Sequence, residues 1–239
     1  MTKLLFHEDA YLSVAEAKVT SITADGGVIL DQTNFYATSG GQPGDTGFFE
    51  RGDGSKIKIA DTITGETKAD IHHILADGEA KPQVGETLAL HIDWERRYKL
   101  MQMHTACHLL SVVCPMPITG ARVDVADSRV DFDMAEAVPK DEVTEKLMAL
   151  VNGNHPVFTQ WISDDELLAN PSLVKSKNVR PPTGTGRIRL VCIGEAASID
   201  SQPCGGTHVS ETAEIGDIQI AKIEKKGREN RRFRIRFAA

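Results

Sequence analysis

The sequence predicts an α+β fold that begins with a small β-barrel. Residues 1–92 consist of short runs of alternating apolar and polar residues, separated by glycine-rich turns, which is typical of small barrels. Residues 93–239 combine segments of helical periodicity with strand-like segments. Two pairs of histidine and cysteine residues in this second part are spaced like metal ligands. We therefore predict two domains, with a boundary near Ile92.

Composition sets the broad class of protein. The chain has 239 residues, of which 41% are hydrophobic and 26% charged, as in ordinary globular proteins. Because no run of eighteen apolar residues occurs, we expect no membrane span. The amino terminus does not resemble a secretory signal, so the four cysteines are expected to be reduced thiols in the cytoplasm. The net charge of −7 argues against nonspecific binding of nucleic acids.

The first domain is predicted from strand and turn patterns. Residues 19–33 read as a hairpin with Asp25-Gly26-Gly27 at the bend, and further strands are expected at KIKIADTIT, IHHIL and TLALHID. The glycine-rich segment 33–47 lacks the Lys-Ser/Thr of a phosphate loop. We interpret it as a stiff turn between strands, and the alternative is a rigid lip that contacts a substrate through Gly40 and Gly41.

The second domain begins with a helix over Trp94–Val113, for which Asp93 is a plausible N-cap and Pro115 a terminator. The segments ARVDVAD and SRVDFDM that follow are strand-like. Periodicity and breakers then predict helices over 140–152 and 164–168, and strands at RIRLVCIG, EIGDIQIAKIEKK and RRFRIRFA, with the last two joined by a turn containing Gly227.

The metal-ligand pattern comes from two short motifs, HTACH and CGGTH. His104 and His108 are one helical turn apart, and Cys204 and His208 have the same spacing. Three imidazoles and one thiolate form a donor set that Zn²⁺ prefers, so we predict that the two pairs converge on a zinc ion.

The chemistry that such an ion would serve stays open from the motifs alone. HTACH lacks the glutamate of the HExxH metalloprotease motif, and the cysteines do not form the CxxC of a zinc ribbon. Four protein ligands normally make a closed structural site. Either a substrate displaces one ligand, or the ion shapes and polarises a pocket without generating the nucleophile.

Basic residues are concentrated in two places. Eight lie between Lys222 and Arg236, and a smaller cluster, Arg96, Arg97 and Lys99, precedes HTACH. A local basic face on an acidic protein suits a partner that docks in one orientation. The alternative is a solvated strand and hairpin.

With these motifs in hand, the chain resembles the free-standing alanyl-tRNA editing proteins, the AlaX family, which are similar to the editing domain of alanyl-tRNA synthetase. The resemblance covers nearly the whole chain. It is carried in order by FYATSGGQPGDTG, HTACHLL, QPCGGTHVSETAEIG and the tail IAKIEKKGRENRRFRIRF. The fold expected from it is an amino-terminal barrel (1–92) followed by a zinc-binding editing domain (93–239).

The resemblance implies hydrolysis, in trans and without ATP, of the ester that joins serine or glycine to tRNA(Ala). It also implies that Zn²⁺ is bound by His104, His108, Cys204 and His208. Candidate tRNA contacts are Arg96, Arg97, Arg231, Arg232, Gly40 and Gly41, and candidate catalytic residues are Thr105 and Thr119. Thr119 would hold the serine hydroxyl, whereas Thr105 is a candidate support for a metal ligand or a plain helix-surface hydroxyl. Asp200, close to CGGTH, is interpreted as an ordinary loop acid.

Two other classes of function remain as alternatives. One is a zinc-stabilised tRNA-binding module without catalysis, which would lose its fold with the metal and leave mischarged tRNA intact. The other is a metallohydrolase of small esters or peptides, against which the missing HExxH glutamate counts.

Overall fold

The computed structural model describes residues 2–65, 70–136, 138–179, 181 and 186–238. The chain divides into two compact units, Met1–Lys99 and Leu100–Ala239, so the boundary falls within the first long helix. In the described ranges, no helix has both the length and the apolar character required to cross a bilayer.

The first unit contains a closed antiparallel barrel, which confirms the predicted fold class. Its strands, in chain order, are β1 (Lys3–Leu4), β2 (Val14–Ile22), β3 (Val28–Leu30), β4 (Gln32–Thr33), β5 (Gly47–Glu50), β6 (Lys56–Thr64), β7 (Ile71–Leu75) and β8 (Thr87–Ile92). Six of them close the barrel in the order β2-β3-β7-β6-β5-β8, and β1 pairs with β4 in parallel. A 3₁₀ turn lies at Leu5–His7.

The barrel forms because most inward-facing positions of its strands are apolar, with His73 and Thr62 as buried polar exceptions. In β6, Ile57 and Ile59 are fully buried while the lysines between and beside them are exposed. The predicted hairpin is confirmed, since Ile22 pairs with Val28 across the turn at residues 23–27. Phe35 and Phe49 fill the interior with an edge-to-face contact, their ring centroids 5.6 Å apart.

The glycine-rich segment is held tightly against the barrel. A Cβ atom on Gly44 would lie 1.9 Å from the carbonyl oxygen of Thr62, and one on Gly47 would lie 2.1 Å from that of His91. The backbone amide of Tyr36 donates to Asp45 at 2.7 Å, and the Asp45 amide donates back to the Tyr36 carbonyl at 2.8 Å. Gly44 and Gly47 are required here, because the neighbouring backbone lies too close for a Cβ atom.

The second unit is built on the helix α1 (Trp94–Val113), which begins in the first unit, followed by β9 (Ile118–Arg122), β10 (Ser128–Asp133), α2 (Lys140–Asn152), β11 (Val157–Ile162), α3 (Asp164–Ala169), β12 (Ile188–Ile193), β13 (Asp200–Pro203), β14 (Ile218–Gly227) and β15 (Asn230–Phe237). The strands form a four-stranded sheet, β14-β15-β10-β9, and a three-stranded sheet, β11-β12-β13. Short 3₁₀ turns lie at Pro171–Leu173, Glu195–Ala197 and Thr212–Ile215.

Most helix predictions are confirmed, and the local reasons are visible. Asp93 caps α1 by accepting from the Arg96 amide at 3.1 Å. The third helix is one residue longer than predicted, and Ser163 and Glu166 form a capping box at its start. Helix α2 buries Val143 and two further apolar residues, and its face lies against β14.

Two strand predictions differ from the structure. ARVDVAD was expected to be a strand, but β9 ends at Arg122, and the residues after it turn back because the Asp124 carboxylate accepts from the amide of Ala126 at 3.1 Å. The segment EIGD is not the start of β14, since Glu214 belongs to a 3₁₀ turn. Strands β11 and β13 were not predicted from the sequence.

Candidate metal centre

The two predicted ligand pairs converge in the second unit. His104 and His108 lie on consecutive turns of α1, and Cys204 and His208 lie in the loop that follows β13. One ligand atom from each of these four residues lies within 4.8 Å of the others, so the group can hold a metal ion. All three imidazoles are buried and Cys204 is half-buried.

The spacing of the donor atoms suits a small tetrahedral ion. The Cys204 sulfur lies 3.6 Å from Nε2 of His104 and 3.4 Å from Nε2 of His208. With zinc–sulfur and zinc–nitrogen bonds of ordinary length, a tetrahedral site separates sulfur from nitrogen by about 3.6 Å. These two separations are compatible with a zinc ion.

The CGGTH loop is shaped by a buried arginine on the neighbouring strand. Arg189 in β12 donates to the carbonyl oxygens of Cys204 at 2.8 Å and of Gly206 at 3.0 Å. The Gly206 amide donates in turn to the Cys204 sulfur at 3.3 Å. These bonds fold the loop back on itself, which brings Cys204 and His208 to the same side.

Thr105 supports one of the ligands. Its hydroxyl donates to the Met101 carbonyl at 2.9 Å, so it accepts from the Val209 amide at 3.3 Å and from Nδ1 of His208 at 3.1 Å. A proton on Nδ1 leaves Nε2 of His208 with the lone pair that faces Cys204. Thr105 is fully buried, so it is neither a helix-surface hydroxyl nor free to give its proton to a substrate.

Asp200 supports a second ligand, and its interpretation as an ordinary loop acid is wrong. It lies in β13 with no exposed side-chain surface, and its Oδ2 atom is 3.3 Å from Nδ1 of His108. The contact lacks the alignment of a hydrogen bond, so Asp200 acts on His108 through its charge and its closeness. A carboxylate behind a histidine fixes the ring so that Nε2 faces the ion.

Two polar side chains hold the Asp200 carboxylate in place, and a third links them. Lys175 donates to Oδ1, and Gln202 donates to Oδ2 at 2.7 Å. Lys175 and Gln202 also donate to the Ser111 hydroxyl, at 3.1 and 3.2 Å. The Ser111 hydroxyl in turn donates to the His108 carbonyl at 2.7 Å. Sequence reasoning missed this network. The signal for it was the strand alternation in DSQP, which turns Asp200 and Gln202 inward together.

The electrostatics of the cluster favour a thiolate among imidazoles. Burial alone would raise the pKa of Cys204, but the charges of His104 and His208 hold that pKa well below its usual range. Burial and the neighbouring His104 lower the pKa of His208. Burial also opposes the charge on His108, yet the adjacent carboxylate of Asp200 and the nearby Cys204 raise its pKa to about 9. Binding of a cation at His108 therefore displaces a proton.

The second threonine candidate lies in the four-stranded sheet. The Thr119 hydroxyl donates to the Asp131 carbonyl at 3.2 Å and accepts from the Asn230 side chain at 2.7 Å. Its proton is therefore engaged, and a substrate hydroxyl would have to use its remaining lone pair.

The prediction that Arg97 contacts tRNA is wrong. The guanidinium is fully buried and forms an ion pair with the buried carboxylate of Asp45, with Nε 2.9 Å from Oδ2. It also donates to the carbonyls of Ala10 at 3.0 Å and Asn34 at 2.8 Å. Arg97 thus ties the glycine-rich segment to the start of α1 and has no surface to offer a phosphate.

Three other predicted tRNA contacts, Arg96, Gly40 and Gly41, lie in or against the glycine-rich segment. Arg96 is half-buried and donates to the Gly44 carbonyl at 2.8 Å. Gly40 and Gly41 have φ angles of 56° and 88°, which favour glycine. A Cβ atom on Gly40 would meet nothing within 4 Å, so this tip of the segment is open.

The arginines of β15 face two environments. Arg232 is paired with Asp131 through two bonds of 2.8 Å, and Arg234 is paired with Asp127 at 3.2 Å. Arg231 points to the opposite side of the strand and is buried. The outward-facing Arg232 and Arg234 are therefore largely neutralised by Asp131 in β10 and by Asp127, which immediately precedes that strand.

Two segments of the chain match family models of tRNA synthetases. Residues 9–96 match the model of the class II (A) tRNA synthetases, and residues 188–234 match that of the second additional domain of threonyl- and alanyl-tRNA synthetases. The chain is 37% identical over 245 residues to the alanyl-tRNA editing protein AlaX-M of Methanosarcina acetivorans, covering 98% of both proteins.

Two further relatives are similar over nearly the whole of this chain. The AlaX-M protein of Saccharolobus solfataricus is 31% identical, with 97% of each chain covered. The alanine–tRNA ligase of Pyrobaculum aerophilum is 36% identical over 94% of this chain, which corresponds to 25% of the ligase. Similarity over the full length of the free-standing relatives shows that this chain belongs to the family of alanyl-tRNA editing proteins AlaX.

Proposed function

We propose that the protein hydrolyses the ester bond of mischarged tRNA(Ala), with Ser-tRNA(Ala) and Gly-tRNA(Ala) as substrates and Zn²⁺ as cofactor. The observation that carries the proposal is the convergence of the two ligand pairs within 4.8 Å in a member of the AlaX family. Water adds across the ester, so that the free amino acid and the terminal hydroxyl of the tRNA are released. The reaction needs no ATP, and a role in translation would locate it in the cytoplasm.

An aminoacyl ester is intrinsically labile, so orientation of a water molecule and stabilisation of the oxyanion suffice for catalysis. When bound, Zn²⁺ supplies a fixed positive charge that positions the aminoacyl end and polarises nearby oxygen atoms. Asp200 and Thr105 hold His108 and His208 with Nε2 directed at that charge. Discrimination between seryl- and alanyl-tRNA requires a polar contact to the serine hydroxyl, because an apolar pocket distinguishes poorly between serine and alanine side chains.

The direction of approach follows from exposure. His104, His108 and His208 are each less than a tenth exposed, whereas Cys204 is half-buried and Gly205 is exposed. A tRNA 3′ end would reach the cluster on the side of this loop. A Cβ atom on Gly205 would meet nothing within 4 Å, so the backbone leaves that side open.

Deacylation assays test the proposal. The protein should release serine and glycine from tRNA(Ala), spare alanine, and lose this activity with a chelator and in Cys204→Ser. Cys192→Ser is the matched control, because that thiol already lies 3.5 Å from the Ser201 hydroxyl and is not a candidate ligand. Cleavage of small amino-acid esters at the same rate as tRNA, or full activity of Cys204→Ser, would reject the proposal.

A second function is favoured by one specific observation. Four protein ligands surround the candidate ion position, and sites with four protein ligands are normally structural. The protein would then be a zinc-stabilised tRNA-binding module. Under this alternative, chelation unfolds the unit Leu100–Ala239, and mischarged tRNA survives incubation with the zinc-loaded protein.

A further inference from the structure

A cavity of about 470 Å³ lies beside the amino end of α2 and the hairpin of β14 and β15. Its lining consists of apolar and basic residues: Val138, Lys140, Ala221, Lys222, Ile223, Lys225 and Arg231. No carboxylate is part of this lining among the described residues. Cavities of this size commonly bind small ligands, and this one presents four cationic groups.

Three of the four cationic groups in the cavity, Lys140, Lys225 and Arg231, lack acidic partners among the described residues, whereas Lys222 pairs with Glu224 at 3.2 Å. Arg231 is 7% exposed and donates to the carbonyls of Gly227 at 3.2 Å, Asn230 at 3.1 Å and Ala135. In the described part of the chain, no carboxylate lies within 4.0 Å of its nitrogens. The same holds for Lys140 and Lys225, which are exposed.

The strand register adds a second observation. Lys225 in β14 is directly opposite Arg231 in β15, so two like charges occupy paired positions. Such pairs are destabilising, and an anion between them would relieve the repulsion. In the same hairpin, Glu224 forms ion pairs with Lys222 at 3.2 Å, with Lys226 and with Arg234, so it compensates the charge of Lys222 but not those of Lys225 and Arg231.

We propose that this cavity binds a backbone phosphate of tRNA, through Lys140, Lys225 and Arg231. A phosphodiester is a small anion that accepts several hydrogen bonds, and lysine and arginine are the side chains that bind it. The inference rests on the proposed tRNA substrate, but it assigns the contact to the cavity and not to the paired arginines Arg232 and Arg234.

Lysine variants test this assignment, because Arg231 supports the backbone and its loss would disturb the fold. Lys140→Ala and Lys225→Ala should each weaken binding of uncharged tRNA(Ala) about fivefold and reduce the salt slope by about 1. Lys58→Ala, an exposed lysine of the barrel strand β6, is the control and should leave both values unchanged.

Charge reversal gives a sharper test. Lys225→Glu would place a carboxylate opposite Arg231, so it should raise the Tm by about 2 °C while weakening tRNA binding more than Lys225→Ala does. Lys58→Glu, which lies opposite Phe48, should do neither. A role confined to folding would move stability and binding in the same direction.

Three results would overturn the inference. If the wild type deacylates and binds tRNA(Ala) but the cavity variants match the Lys58 controls, the phosphate contact lies elsewhere, and the proposed function is unaffected. If inorganic phosphate binds to the wild type while the variants keep full tRNA affinity, the cavity is an anion site unrelated to tRNA. Failure of the wild type to bind any tRNA would reject the inference together with the proposed function.

Discussion

Asp200→Asn is the substitution that tests the support of the metal centre most directly. Both carboxylate oxygens face donors: Oδ1 accepts from Lys175, while Oδ2 accepts from Gln202 at 2.7 Å and lies 3.3 Å from Nδ1 of His108. An asparagine amide has one oxygen, so either orientation brings its NH₂ group against a donor. The volume of the side chain hardly changes, so the effect is one of hydrogen bonding and charge.

The expected magnitude follows from the role of the carboxylate. With NH₂ facing His108, the imidazole is driven to the tautomer that carries its proton on Nε2, which removes the lone pair that an ion needs. Loss of such a supporting group lowers metal affinity 10- to 100-fold, or about 1.4–2.7 kcal/mol. We therefore expect zinc affinity to fall within that range at neutral pH.

Competition with a chromophoric chelator measures this affinity independently of any activity. Asp133→Asn is the matched control, because it breaks a comparable lysine–aspartate pair, Lys177–Asp133 at 2.6 Å, on the protein surface. Circular dichroism must show that both variants are folded. Wild-type zinc affinity in a folded Asp200→Asn variant would refute the role that we assign to this residue.

Three further perturbations have definite expected outcomes. Thr105→Val should lower zinc affinity about tenfold, because it removes the acceptor for Nδ1 of His208, whereas Thr105→Ser should keep it in the same titration. Arg97→Met should lower the free energy of unfolding by about 3–5 kcal/mol in a urea titration, because it leaves the buried Asp45 charge unpaired; recovery should follow if Asp45→Asn is added, and its absence would contradict the pairing. His73 is fully buried, and burial lowers its pKa from 6.5 to about 4. Because the unfolded chain then takes up a proton that the folded state does not, stability is full above about pH 6.5 and falls as the pH drops to about 4, by about 3 kcal/mol. Urea titrations across this range should show the loss in the wild type, and an unchanged slope in His73→Gln would contradict it.

Local patterns in the sequence predict those features that depend on neighbours along the chain. The helix over residues 94–113 and the hairpin at residues 19–33 follow from periodicity, caps and turn residues. The end of β9 at Arg122 was not predictable from alternation, because the carboxylate of Asp124 bonds the backbone of the turn and outweighs the strand propensity of its neighbours.

The burial and the ion-pair partners of individual basic residues could not be predicted from local patterns. Arg96 and Arg97 are adjacent in sequence, yet one is half-buried and the other is fully buried on Asp45. Arg231 and Arg232 are also adjacent, but strand alternation turns one into the cavity and the other onto Asp131. Whether a basic residue is free to meet a phosphate depends on partners far away along the chain.

By itself, the sequence determined the α+β class, the barrel and the two ligand pairs, because residues four apart present their side chains on one side of a helix or tight loop wherever the chain goes. The tertiary structure decided that the pairs meet, that Thr105 and Asp200 lie behind His208 and His108, and that the outward arginines are neutralised. Burial and hydrogen-bond pairing between distant segments exist only once the chain has folded, and these contacts select which polar residues support the metal centre and which merely hold the fold.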